Sequence, residues 1–298
     1  MNGKRLSLKT MLAITVLFLI IPGAYAGETT ELPCCLASTG DSISVGVNAE
    51  RFGDNTWASW VNGYYGFWQW LFGLTNVDSH KQRISRLCQY HTCGERCNYM
   101  FAEAGAKSED LASQVAEILE AYPVPNYVTV FIGQNDICRD IDEVITPVED
   151  YIRNVGSALN RLAADLSDPS TILVVGPVDV THLYEVARDK KALGILDCEV
   201  LWFFSLFDLY PCYSVLGPGI DDVERLAILR EYIAPYNRGL SRVVSRLSSS
   251  YPYHNFIYTN AAFTYPFTED EVSDLDCFHP SAKGQRSLSA LTWEAVGW

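Results

Sequence analysis

The sequence predicts an α/β fold, a parallel β-sheet covered by helices on both faces. Three observations carry that expectation. Short β-branched and aromatic runs alternate with longer segments of helical apolar spacing. Turn-forming Gly, Asp and Asn residues follow several of the strand-like runs. No internal repeat, low-complexity tract or Pro/Ser-rich linker breaks the alternation.

The first segment stands outside the pattern. Lys4, Arg5 and Lys9 precede an apolar run from Met11 to Ile21, and Ala24-Tyr25-Ala26 is a small-x-small cleavage signature. Residues 1–26 are therefore expected to be a secretory signal peptide cut after Ala26. About 11 apolar residues are too few for a membrane anchor. Residues 27–298 are then expected to form a single domain, exported and without a transmembrane segment.

Within that domain, Cys34–Ser38 reads as a buried strand leading into Gly40, and Cys97–Ala102 as a second strand. Residues 108–121 read as a helix, with Ser108 as N-cap and Glu109 and Asp110 in the first turn. Tyr127–Ile132 is a buried strand. Residues 143–166 carry Val144, Val148, Tyr151, Ile152, Val155, Leu159 and Leu162 at helical spacing. Thr171–Val175 is another strand, ended by Gly176-Pro177. Residues 222–248 read as helix, broken or kinked at Pro235. Asn255–Tyr258 is the last strand, and a helix from Ala282 follows it. Residues 52–75 and 195–220 fit the alternation poorly. They are expected to belong to insertions beside the site, near 52–96 and 190–220.

Composition bounds the function. Of 298 residues, 48% are hydrophobic and 19% charged, a globular balance that can bury a sizeable core. The net charge is -14, and removing residues 1–26, with three Lys/Arg and no Asp/Glu, takes it to -17. Such an acidic surface excludes nucleic acid as a partner. It also opposes anionic membrane surfaces. A lipid substrate would be zwitterionic, neutral or dispersed, with only transient membrane-surface contact. All nine cysteines follow the signal peptide. In an exported chain they are expected to form disulfides, with Cys198–Cys212 as one pairing and at least one thiol left over. Cys88, Cys93 and Cys97 lack paired C-x-x-C spacing, and His91 among them reads as a loop residue, so no metal is expected.

Nucleophilic ester cleavage needs an activated hydroxyl, a base, an orienter for the base, and donors for the developing oxyanion. Each is present at a predicted strand end or in a late loop. Ser42 follows the first strand and a Gly-Asp turn. Gly105 follows the second strand, where its backbone N–H could be bare. Asn135 follows the third. His279 sits in Asp276-Cys277-Phe278-His279-Pro280, where a carboxylate three residues upstream can reach Nδ1 and leave Nε2 for Ser42. His80, His182 and His254 show no such arrangement and read as structural or exposed. The lipase elbow Gly-x-Ser-x-Gly is absent.

Gly40-Asp41-Ser42-Ile43, Gly105, Gly133-x-Asn135-Asp136 and Asp276-x-x-His279, in that order, resemble the four blocks of the GDSL lipase, or SGNH hydrolase, family. Residues 104–111, 131–138 and 276–284 look like its phospholipase B-like branch. The resemblance runs from about Ser38 onward and thins in the two insertions. It implies a three-layer α/β/α sandwich, flavodoxin-like, with a five-stranded parallel sheet. It makes Ser42 the nucleophile, His279 the general base and then acid, and Asp276 the orienter. It gives the oxyanion to the backbone N–H groups of Ser42 and Gly105 and the Asn135 amide. Asp41 and Asp136 become turn-shaping residues. Gln134 stands where that branch usually has Gly, and would narrow the floor near the oxyanion donors. No organic cofactor is implied.

The substrate expectation is a small-molecule or lipid ester, first a phospholipid or lysophospholipid, with a short-chain carbohydrate acetyl ester as the alternative. A catalytically inactive binding protein of the same fold is the alternative of another class. Trp57, Trp60 and Gln134 stand as candidates for substrate contact. The aromatic residues from Trp57 to Phe72 could form an acyl-admitting mouth or interfacial surface. They could equally form a lid packed on the core, with disulfides from Cys88, Cys93 and Cys97 holding the neighbouring loop.

Overall fold

Side chains buried on both faces make the three central strands of the main sheet, and helices with one apolar stripe cover them. The structure is a computed structural model, and it describes residues 33–90, 96–138, 144–203, 212–216 and 222–298. The expected signal peptide, His91 and Cys93 lie outside the described residues.

In chain order the elements are β1 (Cys35–Gly40), α1 (Ser42–Val45), α2 (Phe67–Leu71), α3 (His80–Tyr90), β2 (Cys97–Met100), α4 (Leu111–Glu120), β3 (Tyr127–Phe131), α5 (Gln134–Ile137) and α6 (Val148–Asp165). Then come β4 (Thr171–Val175), α7 (Val180–Ala187), β5 (Lys191–Ala192), β6 (Leu196–Asp197), α8 (Cys198–Phe203), α9 (Tyr213–Leu216), α10 (Asp222–Ser250), β7 (Asn255–Thr259), α11 (Ala261–Thr264) and α12 (Ala282–Val296). Residues 32–298 form one compact unit.

Five strands make a parallel sheet in the order β2-β1-β3-β4-β7. The register aligns Gly40, Phe131, Val175 and Thr259 in one row at the carboxyl ends. β1, β3 and β4 are buried at every position, which explains their continuous apolar runs. Helix α6 packs between α4 and α10, where Tyr151 stacks on Tyr236 at 3.9 Å. Helices α3 and α12 meet around Tyr127. There His80 Nδ1 lies 2.7 Å from the Tyr127 hydroxyl, and the His80 ring meets Trp293. Burial pushes the His80 imidazole down to about 3, so it is a neutral core histidine.

Several expectations change. Helix α4 begins at Leu111, not at Ser108. Both the backbone N–H and the hydroxyl of Ser108 donate to Asp136, at 2.8 and 2.6 Å, and its Oγ accepts from the Asn154 amide at 3.2 Å, so the side chain is turned to those partners rather than capping the helix. Helix α6 starts after Pro147, which occupies its N-cap. The Cys198–Cys212 pairing is not formed. Cys198 joins Cys277, Cys212 joins Cys138, and Cys35 joins Cys97 across β1 and β2. Residues 52–75 divide in two. Trp60 is wholly buried against His80 and Phe131, whereas the side chains around α2 are exposed. Among the described residues no helix is long and apolar enough to cross a membrane.

Candidate active site

The site is built from three strand ends and one returning loop. Gly40 closes β1 at φ 142°, and a Cβ there would strike the Phe131 carbonyl and the Ser44 hydroxyl. Gln114 of α4 clamps the same glycine, donating to its carbonyl and accepting from its N–H, both at 2.9 Å. Asp41 then caps α1, its Oδ1 accepting from Ile43 N. Ser42 is the first residue of that short helix and is 8% exposed.

The returning loop lies between β7 and α12. His279 Nε2 is 2.9 Å from Ser42 Oγ, and His279 Nδ1 is 2.6 Å from Asp276 Oδ2. Asp276 Oδ1 accepts from the backbone N–H groups of Phe278 and His279, at 2.9 and 3.0 Å. Asn48 donates its amide to Oδ2 at 2.7 Å. Trp202 donates to the Asp276 carbonyl at 3.0 Å. Cys277, at φ 58°, is tied to Cys198. The loop is thus held from four directions.

Electrostatics follow from burial and partners. Burial alone would raise the Asp276 carboxyl, but the His279 charge, its hydrogen bond and the Asn48 amide prevail, and it falls below the usual carboxylate range. Burial alone would lower the His279 imidazole. The Asp276 charge and hydrogen bond, with the Asp41 charge, lift it above its ordinary value. Asp41 is pushed up to about 7, chiefly by burial, and its Oδ2 has no partner.

The other two strand ends are drawn to the same place. Glu103 N donates to the Gly40 carbonyl at 3.1 Å, which sets the loop after β2 beside the Ser42 turn. Gly105 lies in that loop, exposed, at φ 83°. Asn135 Nδ2 donates to the Ala106 carbonyl at 3.0 Å, joining the loop after β3 to it. A narrow pocket of about 10 Å³ is lined by Ser42, Asn135, His279, Val180, Leu183 and Phe278, with Gln134 on its wall. Gln134 is 4% exposed, and neither atom of its amide has a partner.

A buried carboxylate, an imidazole and a hydroxyl bonded in series can move a proton from the hydroxyl as it attacks an electrophile. The family model described as GDSL-like lipase/acylhydrolase matches residues 37–291. The chain belongs to that family. No curated protein matches this GDSL-family chain. Solved structures similar to it include a catalytic variant of Axe2, an acetylxylan esterase from Geobacillus stearothermophilus, at 17% identity and TM-score 0.49. That match covers 89% of this chain and 94% of the other. Another is the lipase/acylhydrolase from Enterococcus faecalis, at 16% identity and TM-score 0.44, covering 88% and 94%.

Of the candidate residues, Ser42, Asn135, Asp276, His279 and Gln134 gather at this one site of the GDSL-family fold, and Gly105 sits in the adjoining loop. Trp57 and Trp60 do not join them. Trp60 is core, as described. Trp57 packs against Ala49, Ala58, Val77 and Ala282 and donates its indole N–H to Glu50 at 3.3 Å. Asn48, Gln114 and Trp202 went unnoticed in the sequence. Asn48 lies 228 positions from Asp276, and its φ of 52° is the one local sign of a special role.

Proposed function

We propose that this GDSL-family chain is an exported serine ester hydrolase that works through an acyl-Ser42 intermediate. Lipid esters, of the phospholipid or lysophospholipid kind, are its proposed substrates. One observation carries the reading: the unbroken series of hydrogen bonds from Asp276 through His279 to Ser42, beside a narrow apolar pocket. Ser42 Oγ attacks the ester carbonyl carbon while His279 Nε2 takes its proton. The backbone N–H groups of Ser42 and Gly105 and the Asn135 amide receive the oxyanion. His279 returns the proton to the departing alcohol. Water, deprotonated by the same imidazole, then releases the acid and restores Ser42.

The lipid reading is supported by the apolar wall of Val180, Leu183, Phe278 and Pro280, together with the phospholipase B-like blocks of the sequence. Export is supported by the Lys4–Ala26 segment and by the three disulfides among the described residues, Cys35–Cys97, Cys138–Cys212 and Cys198–Cys277. The narrowness of that pocket, about 10 Å³, favours a second reading, a short-chain acetyl esterase. A panel of p-nitrophenyl esters from acetyl to palmitoyl, extended to phospholipid headgroups, separates the two. Ser42→Ala is expected to abolish turnover and labelling by a fluorophosphonate probe with the fold intact. Asn135→Ala is expected to lower kcat about 100-fold. Full activity of the Ser42 variant would remove Ser42 as the nucleophile, and a native chain that is neither labelled nor active would return the protein to the class of inactive binding proteins.

A further inference from the structure

The surface carries an apolar knob that the chemistry above does not use. Phe67, Trp68, Trp70 and Phe72 are each 63–64% exposed, and Leu71 is 50% exposed. Their rings pack on one another, Phe67 with Trp68 at 5.4 Å and Trp68 with Phe72 at 6.3 Å. At ~100° per residue, positions 67, 68, 70, 71 and 72 sweep about 200° of the helix circumference. A stripe of roughly half that width would suit a groove on a partner protein. An apolar surface wrapped this far round suits a medium that surrounds it.

The knob is held ready. Gly66 N donates to Gln69 Oε1 at 3.0 Å at its entry. At its base, Glu50 accepts from Thr75 N at 2.7 Å and from the Trp57 indole at 3.3 Å. Glu50 lies two residues from Asn48, the amide partner of Asp276, so the base of the knob and the catalytic loop share one anchoring segment.

Charge selects the medium. No Asp, Glu, Lys or Arg lies between Asp54 and Asp78, in a chain of net charge -14. Anionic bilayers are recognised by Lys and Arg beside the inserted residues; this segment carries none between those two aspartates, and the basic side chains folded against its flanks are engaged there, Lys81 over the Tyr64 ring and Arg286 at the Asn76 carbonyl. A zwitterionic surface neither repels the acidic body nor requires cations. Trp, Phe and Leu are the side chains that settle at such an interface.

We propose that the α2 knob, Phe67 to Phe72, inserts into the headgroup layer of a zwitterionic lipid surface and docks the enzyme there. The inference deepens the lipid-ester reading and rests on it for its purpose, while its test does not depend on catalysis. The exported chain, recovered without residues 1–26, is sedimented with phosphatidylcholine vesicles and compared with the triple variant W68S/W70S/F72S. All three side chains are exposed, so the variant should keep the native circular-dichroism spectrum and Tm, which checks its fold. The native chain is expected to sediment with the vesicles and to shift its tryptophan emission to the blue. The variant should partition at least about 100-fold more weakly. Vesicles containing phosphatidylserine should bind the native chain less, most clearly at low salt.

The proposal is overturned if the native chain leaves the vesicles in suspension, if the variant binds as well, or if phosphatidylserine strengthens binding. A dimer that the variant dissolves, without vesicle binding, would assign the knob to a second copy and also overturn it. A native chain that binds vesicles but hydrolyses no ester would uphold the docking and sink the hydrolase reading.

Discussion

Asp41 and Gln134 flank the Ser42 site with polar atoms that have no partner. Asp41 caps the helix that presents Ser42, yet burial lifts its carboxyl to about 7. A carboxyl whose folded value is raised favours folding most when protonated. That contribution is full below the unfolded value near 3.8 and is lost as pH rises through about 7. Asp41→Asn keeps the cap and should therefore melt higher than the native chain at pH 8, by a few kcal/mol at most. The difference should vanish toward pH 4. Because the Asp41 charge also lifts His279, the acid limb of kcat/KM should move to lower pH in the same variant. A thermal-melt series and a pH–rate profile check both. Gln134 presents the complementary case. A buried amide with no partner costs about 1–3 kcal/mol, so Gln134→Leu should melt as high as the native chain or higher. If the amide bonds substrate, KM should rise severalfold with kcat largely kept. An unchanged KM would remove Gln134 from the substrate-contacting residues.

At the scale of elements, the junction of β1 and α1 leaves no room for change. Gly40→Ala adds a Cβ against the Phe131 carbonyl in a backbone conformation that side chains rarely adopt. It should cost on the order of 3 kcal/mol or more, seen as a lowered denaturant midpoint together with lost Ser42 reactivity. This junction was legible in the sequence, because Gly-Asp-Ser at the end of an apolar run is local information. So were β3 and β4, whose side chains are apolar because both faces are buried. The start of α4 was not legible. Ser108 suits an N-cap, and only the fold brings Asp136, 28 positions away, to claim both its donors. The aromatics from Trp57 to Phe72 could not be sorted by pattern either. Trp60 and Trp68 are the same residue type, and only packing against His80 and Phe131 sends one inward. The disulfide partners were hidden for a like reason. Cys277 meets Cys198 because the Asp276 loop lands on α8, which spacing does not encode.

For the whole molecule, the three described disulfides join segments 62, 74 and 79 positions apart. Each closes a long loop and typically adds about 2–4 kcal/mol. Reduction with dithiothreitol is therefore expected to lower Tm by roughly 10 °C or more. Cys198→Ser with Cys277→Ser should lose activity at temperatures where the fold still stands, since that bridge flanks Asp276; equal loss of both would make it a purely structural clamp. The positions of the bonded groups have a further consequence. Ser42 and His279 are 237 positions apart, and every strand of the main sheet after β1 lies between them. A chain made from its N-terminus exposes the hydroxyl long before the imidazole exists to activate it. Throughout translation the growing polypeptide lacks the partner that would activate Ser42. A hydrolase built in this order acquires its activated serine only once the whole molecule has been made and folded.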